Sequence, residues 1–176
     1  MKIAIYSRGI ENNQHQDIIQ LLDELALSGV ELVFYQDFFN QFYSAISAKA
    51  KYSTFNSSED LDKNIDFIIS LGGDGTMLDT VTLVKDSGIP VVGINYGRLG
   101  FLANIGKEDL IPAVEALVNR TYVVDKRTLL HLDSDVRLFG DAPYALNEFT
   151  LHTKDSSPII QIHTYLTAEP LHTYSA

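Results

Sequence analysis

The sequence contains no cysteine, which excludes disulfides, iron–sulfur clusters and zinc sites built on thiolates. Its histidines, His15, His131, His152, His163 and His172, form no compact His-x-x-x-His pair, so a dedicated zinc site has no basis either. No apolar run reaches the roughly 20 residues that cross a membrane. The opening Met1-Lys2-Ile3-Ala4-Ile5-Tyr6 gives way at once to Ser7-Arg8-Gly9, and the expectation is a cytoplasmic protein with no membrane partner. Basic residues are scarce, 13 against 23 acidic ones, for a net charge of -10. That argues against a nucleic-acid partner, but not against a phosphorylated ligand held locally by backbone amides or a cation.

What is present is enough to fold. With 176 residues, 45% of them apolar and 20% charged, the chain has globular proportions. A compact protein of this mass exposes about 8,600 Å² and buries a substantial core.

Ile3-Ala4-Ile5-Tyr6 reads as a strand, followed by Ile18, Ile19, Leu22, Leu25 and Ala26 at helical spacing. Leu32-Val33-Phe34-Tyr35 is a second strand, and Phe38 through Ile46 a second helix. The polar stretch Lys49–Asp62 reads as a loop or an ordered excursion of undetermined form. Phe67-Ile68-Ile69-Ser70 is a strongly apolar strand, with a helix beginning near Gly75, and Pro90 to Ile94 is the next strand. Leu110, Val114, Leu117 and Val118 mark one more helix, with Pro112 in its first turn. This order predicts an α/β fold over residues 1–121, with its ligand site at the carboxyl ends of parallel strands. From Tyr122 onward, short extended runs between turn residues predict a β-rich second domain over 122–176, closing in a hairpin that turns at Thr167–Pro170.

The most informative segment is Gly72-Gly73-Asp74-Gly75-Thr76, directly after the apolar strand. Small residues let a backbone approach phosphate, and a turn opening a helix aims several N–H groups at it. Asp74 beside that phosphate is useful if it orients a hydroxyl, binds a divalent metal, or both. Those are the demands of phosphoryl transfer to an alcohol; the alternative is an ordinary Asp-Gly turn. The loop is neither a Walker phosphate loop nor the spaced glycine set of a dinucleotide fold.

With these residues in hand, the sequence resembles the ATP- or polyphosphate-dependent NAD kinase family. The resemblance rests on Gly72–Thr76, on Gly93-Ile94-Asn95-Tyr96-Gly97-Arg98-Leu99-Gly100-Phe101-Leu102, and on Asn147-Glu148, placed on a later strand. Lipid kinases and phosphofructokinases share the glycine loop alone; lipid kinases continue it with Leu-Asn-Glu, where this chain has Met77-Leu78-Asp79. The resemblance implies a Rossmann-like amino-terminal domain, transfer of phosphate from ATP or polyphosphate to the 2'-hydroxyl of the adenosine ribose of NAD, and a divalent cation, Mg²⁺ by expectation. It implies Asp74 as the base or hydroxyl-orienting residue, and Gly72, Gly73, Gly75 and Thr76 at phosphate. It places Asn95, Gly97, Phe101, Asn147 and Glu148 at the nucleotide, with Phe101 near adenine. For Phe101 a core position beside Leu99 and Leu102 is the competing reading, and for Arg98 a solvated loop position is preferred over a phosphate contact. The family pattern continues past Ala176 with an Asp-Gly pair and a second threonine- and glycine-rich loop, so an incomplete β-rich domain is expected, and a homo-oligomer for the complete protein. The competing functions are a catalytically incomplete nucleotide-binding or scaffold fragment and a lipid or small-alcohol kinase.

Overall fold

A computed structural model describes residues 1–46, 51–97, 100–152 and 159–175. Strands buried on both faces are continuous apolar runs, and such runs build the centre of the main sheet. They are β1 (Lys2–Tyr6), β2 (Glu31–Tyr35), β4 (Phe67–Leu71) and β5 (Val91–Asn95). Two short edge strands, β3 (Tyr52–Phe55) and β6 (Ile105–Gly106), complete a 6-stranded parallel sheet in the order β3-β2-β1-β4-β5-β6. The chain runs outward from β1 to β3, then returns to β4 on the other side of β1. Strand order therefore reverses between β1 and β4, and the carboxyl ends of those two strands bound a crevice.

Helices cover the sheet: α1 (His15–Leu27), α2 (Gln36–Phe42), α3 (Asp74–Val84) and α4 (Leu110–Val118). Alternate strand residues point to opposite faces. Ile3, Ile5, Leu32, Phe34, Ile69 and Ile94 pack with Ile18 and Leu25 of α1 and Val114 and Leu117 of α4. Ala4, Tyr6, Val33 and Ile68 face the other way, toward Val84 of α3. Every residue of β4 is buried, and each Ile or Leu so placed contributes about 1.5–3 kcal/mol.

The structure departs from the sequence expectations at four places. The segment 49–62, read as a loop or an ordered excursion, contains β3, a strand of the main sheet. The second helix stops at Phe42 and tightens to a 3-10 turn at Tyr43–Ala45. Strand β6 was not expected. Among the described residues of the β-rich part, only β7 (Leu130–His131) with β8 (Tyr144–Ala145), and β9 (Gln161–Leu166) with β10 (Glu169–Ser175), form antiparallel ladders. Asn147 and Glu148 thus lie just past the end of β8 rather than on a strand.

The terminal hairpin turns in two residues, Thr167 (φ 49) and Ala168 (φ 69), both in the left-handed region. Burial alternates along β9, with Ile162 and Thr164 half-buried and Gln161, His163 and Tyr165 exposed, and the alternation ends at the exposed Leu166. The chain exposes 11719 Å², well above the about 8,600 Å² of a compact protein of its mass. The excess falls on the β-rich part, where Val123, Leu138, Leu151, Ile159 and Leu171 are all exposed.

Candidate functional site

Strand β4 ends at Leu71, and the glycine turn begins where the strand meets α3. Gly72 has φ +153, and a Cβ there would sit 2.3 Å from Thr76 Oγ1, so only glycine fits. Its N–H donates to the Ile94 carbonyl at 3.0 Å, which ties the turn to β5. Gly73 is the residue before α3 and supplies no side-chain cap. The Met77 N–H donates to the Gly73 carbonyl at 3.1 Å, so the first-turn amides of Asp74, Gly75 and Thr76 precede the helical ladder and have no acceptor within it. Those amides, with the positive end of the helix dipole, can hold an anion. Thr76 is buried with its hydroxyl against Gly72, which makes it a packing element of the turn.

Asp74 is held by the second motif. Its Oδ2 accepts from the Phe101 N–H at 2.8 Å, and its Oδ1 from the N–H groups of Leu102 at 2.9 Å and Ala103 at 3.0 Å. The amides of Ala103, Leu102 and Phe101 hold its carboxyl below the usual carboxylate range. Gly100 is required for this contact, because a Cβ there would meet Asp74 Oδ1 at 2.1 Å. On the far side of the loop, the buried Asn95 donates from Nδ2 to the Ala103 carbonyl at 3.0 Å and accepts from the Gly97 N–H at 2.7 Å. Asn95 and Gly97 therefore clip the loop to the end of β5. Phe101 is 97% exposed, which overturns the reading of it as a core residue. Arg98 lies outside the described residues.

Sequence reasoning missed a group on the β1 side of the crevice. The Ser7 hydroxyl donates to the Leu71 carbonyl at 2.8 Å, stapling the end of β1 to the residue before Gly72. Arg8 follows, and its Nε and Nη2 donate to the Asp79 carboxylate of α3. Tyr6 donates to the same carboxylate at 3.1 Å. Burial, then the nearby Asp79 charge, pushes the Tyr6 hydroxyl up to about 12. Gly75 lies one helical turn before Asp79, and a Cβ there would meet Arg8 Nη1 at 3.3 Å. The signal available in the sequence was position: a polar Ser-Arg-Gly directly after the first strand of an α/β unit lies where such folds bind ligands.

Asn147 and Glu148 are both exposed. Leu146, which precedes them, shares the wall of a cavity of about 800 Å³ with Phe101, Leu102, Met77 and Val81. A second hollow of about 470 Å³ lies among residues 131–144, away from the glycine turn. Among the described residues, no three acidic or histidine side chains are grouped to hold a metal ion. The described residues do not form a cation cage of their own.

A parallel α/β sheet with an uncapped glycine turn at its switch point defines a nucleotide- or phosphate-binding domain. Comparison with known proteins narrows the class. Residues 11–122 match the family model of the ATP-NAD kinase N-terminal domain. NAD kinases from Flavobacterium johnsoniae and Cytophaga hutchinsonii are each 38% identical to this chain over its whole length, and one from Bacteroides fragilis is 34% identical. In each case the chain spans 60% of the relative's length. Among solved structures, yeast NADH kinase complexed with NADH aligns over 100% of this chain and 55% of its own, at 18% identity and TM-score 0.79. An NAD kinase from Archaeoglobus fulgidus in complex with ATP aligns over 99% of this chain and 57% of its own, at 22% identity and TM-score 0.63. The chain belongs to the NAD kinase family. Its fold is the family's Rossmann-like α/β domain followed by a β-rich part, and no described helix is long and apolar enough to cross a membrane.

Proposed function

We propose that this chain carries the phosphate-binding and acceptor-orienting part of an NAD kinase, which moves the terminal phosphoryl group of ATP or polyphosphate to the 2'-hydroxyl of the adenosine ribose of NAD. The observation that carries the reading is the hydrogen bond from the Phe101 N–H to Asp74 Oδ2. It joins the glycine turn to the Gly-Phe-Leu segment, so that phosphate-facing amides, a carboxylate and an exposed aromatic ring meet in one place. In this reading residues 1–121 form the nucleotide domain, residues 122–176 begin the β-rich domain, and the protein is cytoplasmic and homo-oligomeric.

The roles follow from the donor and acceptor inventory. A carboxylate offers about four lone-pair positions, and backbone amides occupy three of those on Asp74. The fourth, on Oδ2, accepts the ribose hydroxyl and aims its oxygen at phosphorus. A carboxylate with a lowered pKa is a weak base, so its contribution is chiefly orientation and charge, and it takes the hydroxyl proton late in the transition state. The new bond joins the ribose oxygen to the terminal phosphorus as the bridging P–O bond to the leaving phosphate breaks. Gly72, Gly73 and Gly75 let the donor approach the first-turn amides, while Thr76 packs the turn. Phe101 offers a face for adenine, with Asn147 and Glu148 beyond the cavity wall on the nucleoside side. A divalent cation such as Mg²⁺ would offset the charge of the donor phosphates, and with no cage among the described residues those phosphates and water would hold it.

The test is an NADP-formation assay on this chain with NAD, ATP and Mg²⁺, alongside direct binding of each nucleotide. NAD and ATP binding with NADP formation supports the whole reading. The 60% span of the curated relatives favours a second outcome, nucleotide binding without turnover, which would make the chain a binding fragment. A folded chain that binds neither nucleotide would refute both, and preferential phosphorylation of a sphingoid alcohol or a sugar phosphate would reassign the acceptor.

A further inference from the structure

We propose that Arg8 is a binding residue for the polyphosphate chain of the phosphoryl donor, and that Asp79 is the positioning residue that presents it. The inference rests on the kinase reading above and adds a residue which that reading does not use. Three observations converge on it. The first is location. Ser7 is buried and its hydroxyl bonds the Leu71 carbonyl at 2.8 Å, so the next residue is fixed at the mouth of the β1–β4 crevice, beside the glycine turn. The second is orientation. Asp79 takes the Nε–Nη2 edge of the guanidinium, and Tyr6 braces that carboxylate from below at 3.1 Å. The Asp79 contacts do not use Nη1, and Nη1 lies over Gly75, 3.3 Å from where a Cβ would stand. The third is access: the Arg8 side chain is 61% exposed although its charged end is oriented.

The chemistry follows from that arrangement. A guanidinium is a planar, permanently charged fork suited to phosphate oxygens, and it loses little freedom on binding when a carboxylate already holds one edge. Gly75 lets Nη1 lie beside the first-turn amides of α3, so a phosphate there would meet amide donors from one side and the guanidinium from the other. A larger residue at 75 would separate them. In a chain of net charge -10, a positive group at this point opposes the general repulsion of a polyanion. ATP and inorganic polyphosphate present the same phosphate chain, so both are covered.

The experiment is calorimetric titration of this chain, and of its R8Q and R8K variants, with ATP, inorganic tripolyphosphate and NAD, with circular dichroism to check folding. R8Q is expected to weaken ATP and tripolyphosphate about tenfold or more while leaving NAD within about twofold. R8K, which keeps the charge but not the fork, should fall between. If ATP weakens and tripolyphosphate does not, the contact is to the nucleoside and the proposal fails. Equal losses for all three ligands would make Arg8 structural. Unchanged affinities in folded R8Q would reduce the Arg8–Asp79 contact to a surface ion pair, leaving the kinase reading intact. If R8Q does not fold, an unchanged tripolyphosphate affinity in R8K overturns the proposal. A wild-type chain that binds neither ATP nor NAD defeats the kinase reading itself, and this proposal with it.

Discussion

The carboxylate of Asp74 accepts a hydrogen bond from the backbone N–H of Ala103 at 3.0 Å, although 29 residues separate the two. With the Phe101 and Leu102 amides, this makes Asp74 the anchor of a loop as well as a group facing the crevice. A residue in that position shapes the Phe101–Ala103 loop before any ligand arrives.

Asp74→Asn is therefore expected to loosen the loop. An amide side chain must turn an NH₂ toward at least one of the backbone N–H groups that Asp74 now satisfies, and donor faces donor. Hydrogen exchange at Phe101, Leu102 and Ala103 should accelerate relative to the core of β4, and NAD affinity should fall together with turnover. Unchanged protection of all three amides would show that the anchor does not govern the loop.

The same contact sets a pH dependence. The Asp74 carboxyl is held below its unfolded value, so its stabilising effect is complete above about pH 4 and is lost as pH falls through the lower folded-state value. Protection of the Phe101–Ala103 amides, corrected for intrinsic exchange rates, should persist through pH 4 and disappear only in stronger acid. A loss of protection already centred between pH 5 and 6 would contradict this.

Gly93→Ala tests how closely the loop packs on β5. A Cβ at that position would come within 2.9 Å of Ala103 Cα and 3.2 Å of Met77 Sδ, and the backbone contact has little room to yield. The expected cost is about 1–3 kcal/mol of folding stability, read as a lower urea midpoint. An unchanged midpoint with unchanged slope would mean that the loop shifts freely.

The hairpin turn offers a gain. Thr167 and Ala168 occupy left-handed conformations that cost about 1–2 kcal/mol each for residues with a Cβ, while Asn-Gly suits a two-residue turn of this geometry. Replacing the pair with Asn-Gly should slow hydrogen exchange along β9 and β10. Faster or unchanged exchange would refute the turn geometry.

Much of this architecture was legible because buried parallel strands leave a plain mark. Phe67-Ile68-Ile69-Ser70 is an apolar run because β4 is covered on both faces, and the helical spacing of Ile18, Leu22 and Leu25 records the face that α1 presents to the sheet. Strand β3 left no such mark. It is an edge, Tyr52, Ser53 and Thr54 are exposed, and its pairing with β2 is made by backbone atoms that no hydropathy pattern records. At the site, the glycine turn could be read because phosphate contact and tight turns both demand glycine. The Asp74 anchor and the place of Arg8 could not, because both depend on through-space contacts across 27 to 29 and 71 residues. Phe101 beside Leu102 has the composition of a core segment, yet its backbone N–H is held by Asp74 and its ring stands in solvent.

The position of β1 between β2 and β4 has a kinetic consequence. Lys2 and Asp66 are joined by a 2.8 Å hydrogen bond across a separation of 64 residues, so the flank of β1 that borders the crevice is completed by a long-range closure. Parallel pairings of this kind form slowly, since chain entropy is lost before contacts compensate it. The Ser7–Leu71 staple spans the same separation of 64 residues. Nucleotide capture should therefore be among the last properties to return on refolding, later than helical signal, and its recovery rate reports when the two halves of the sheet join.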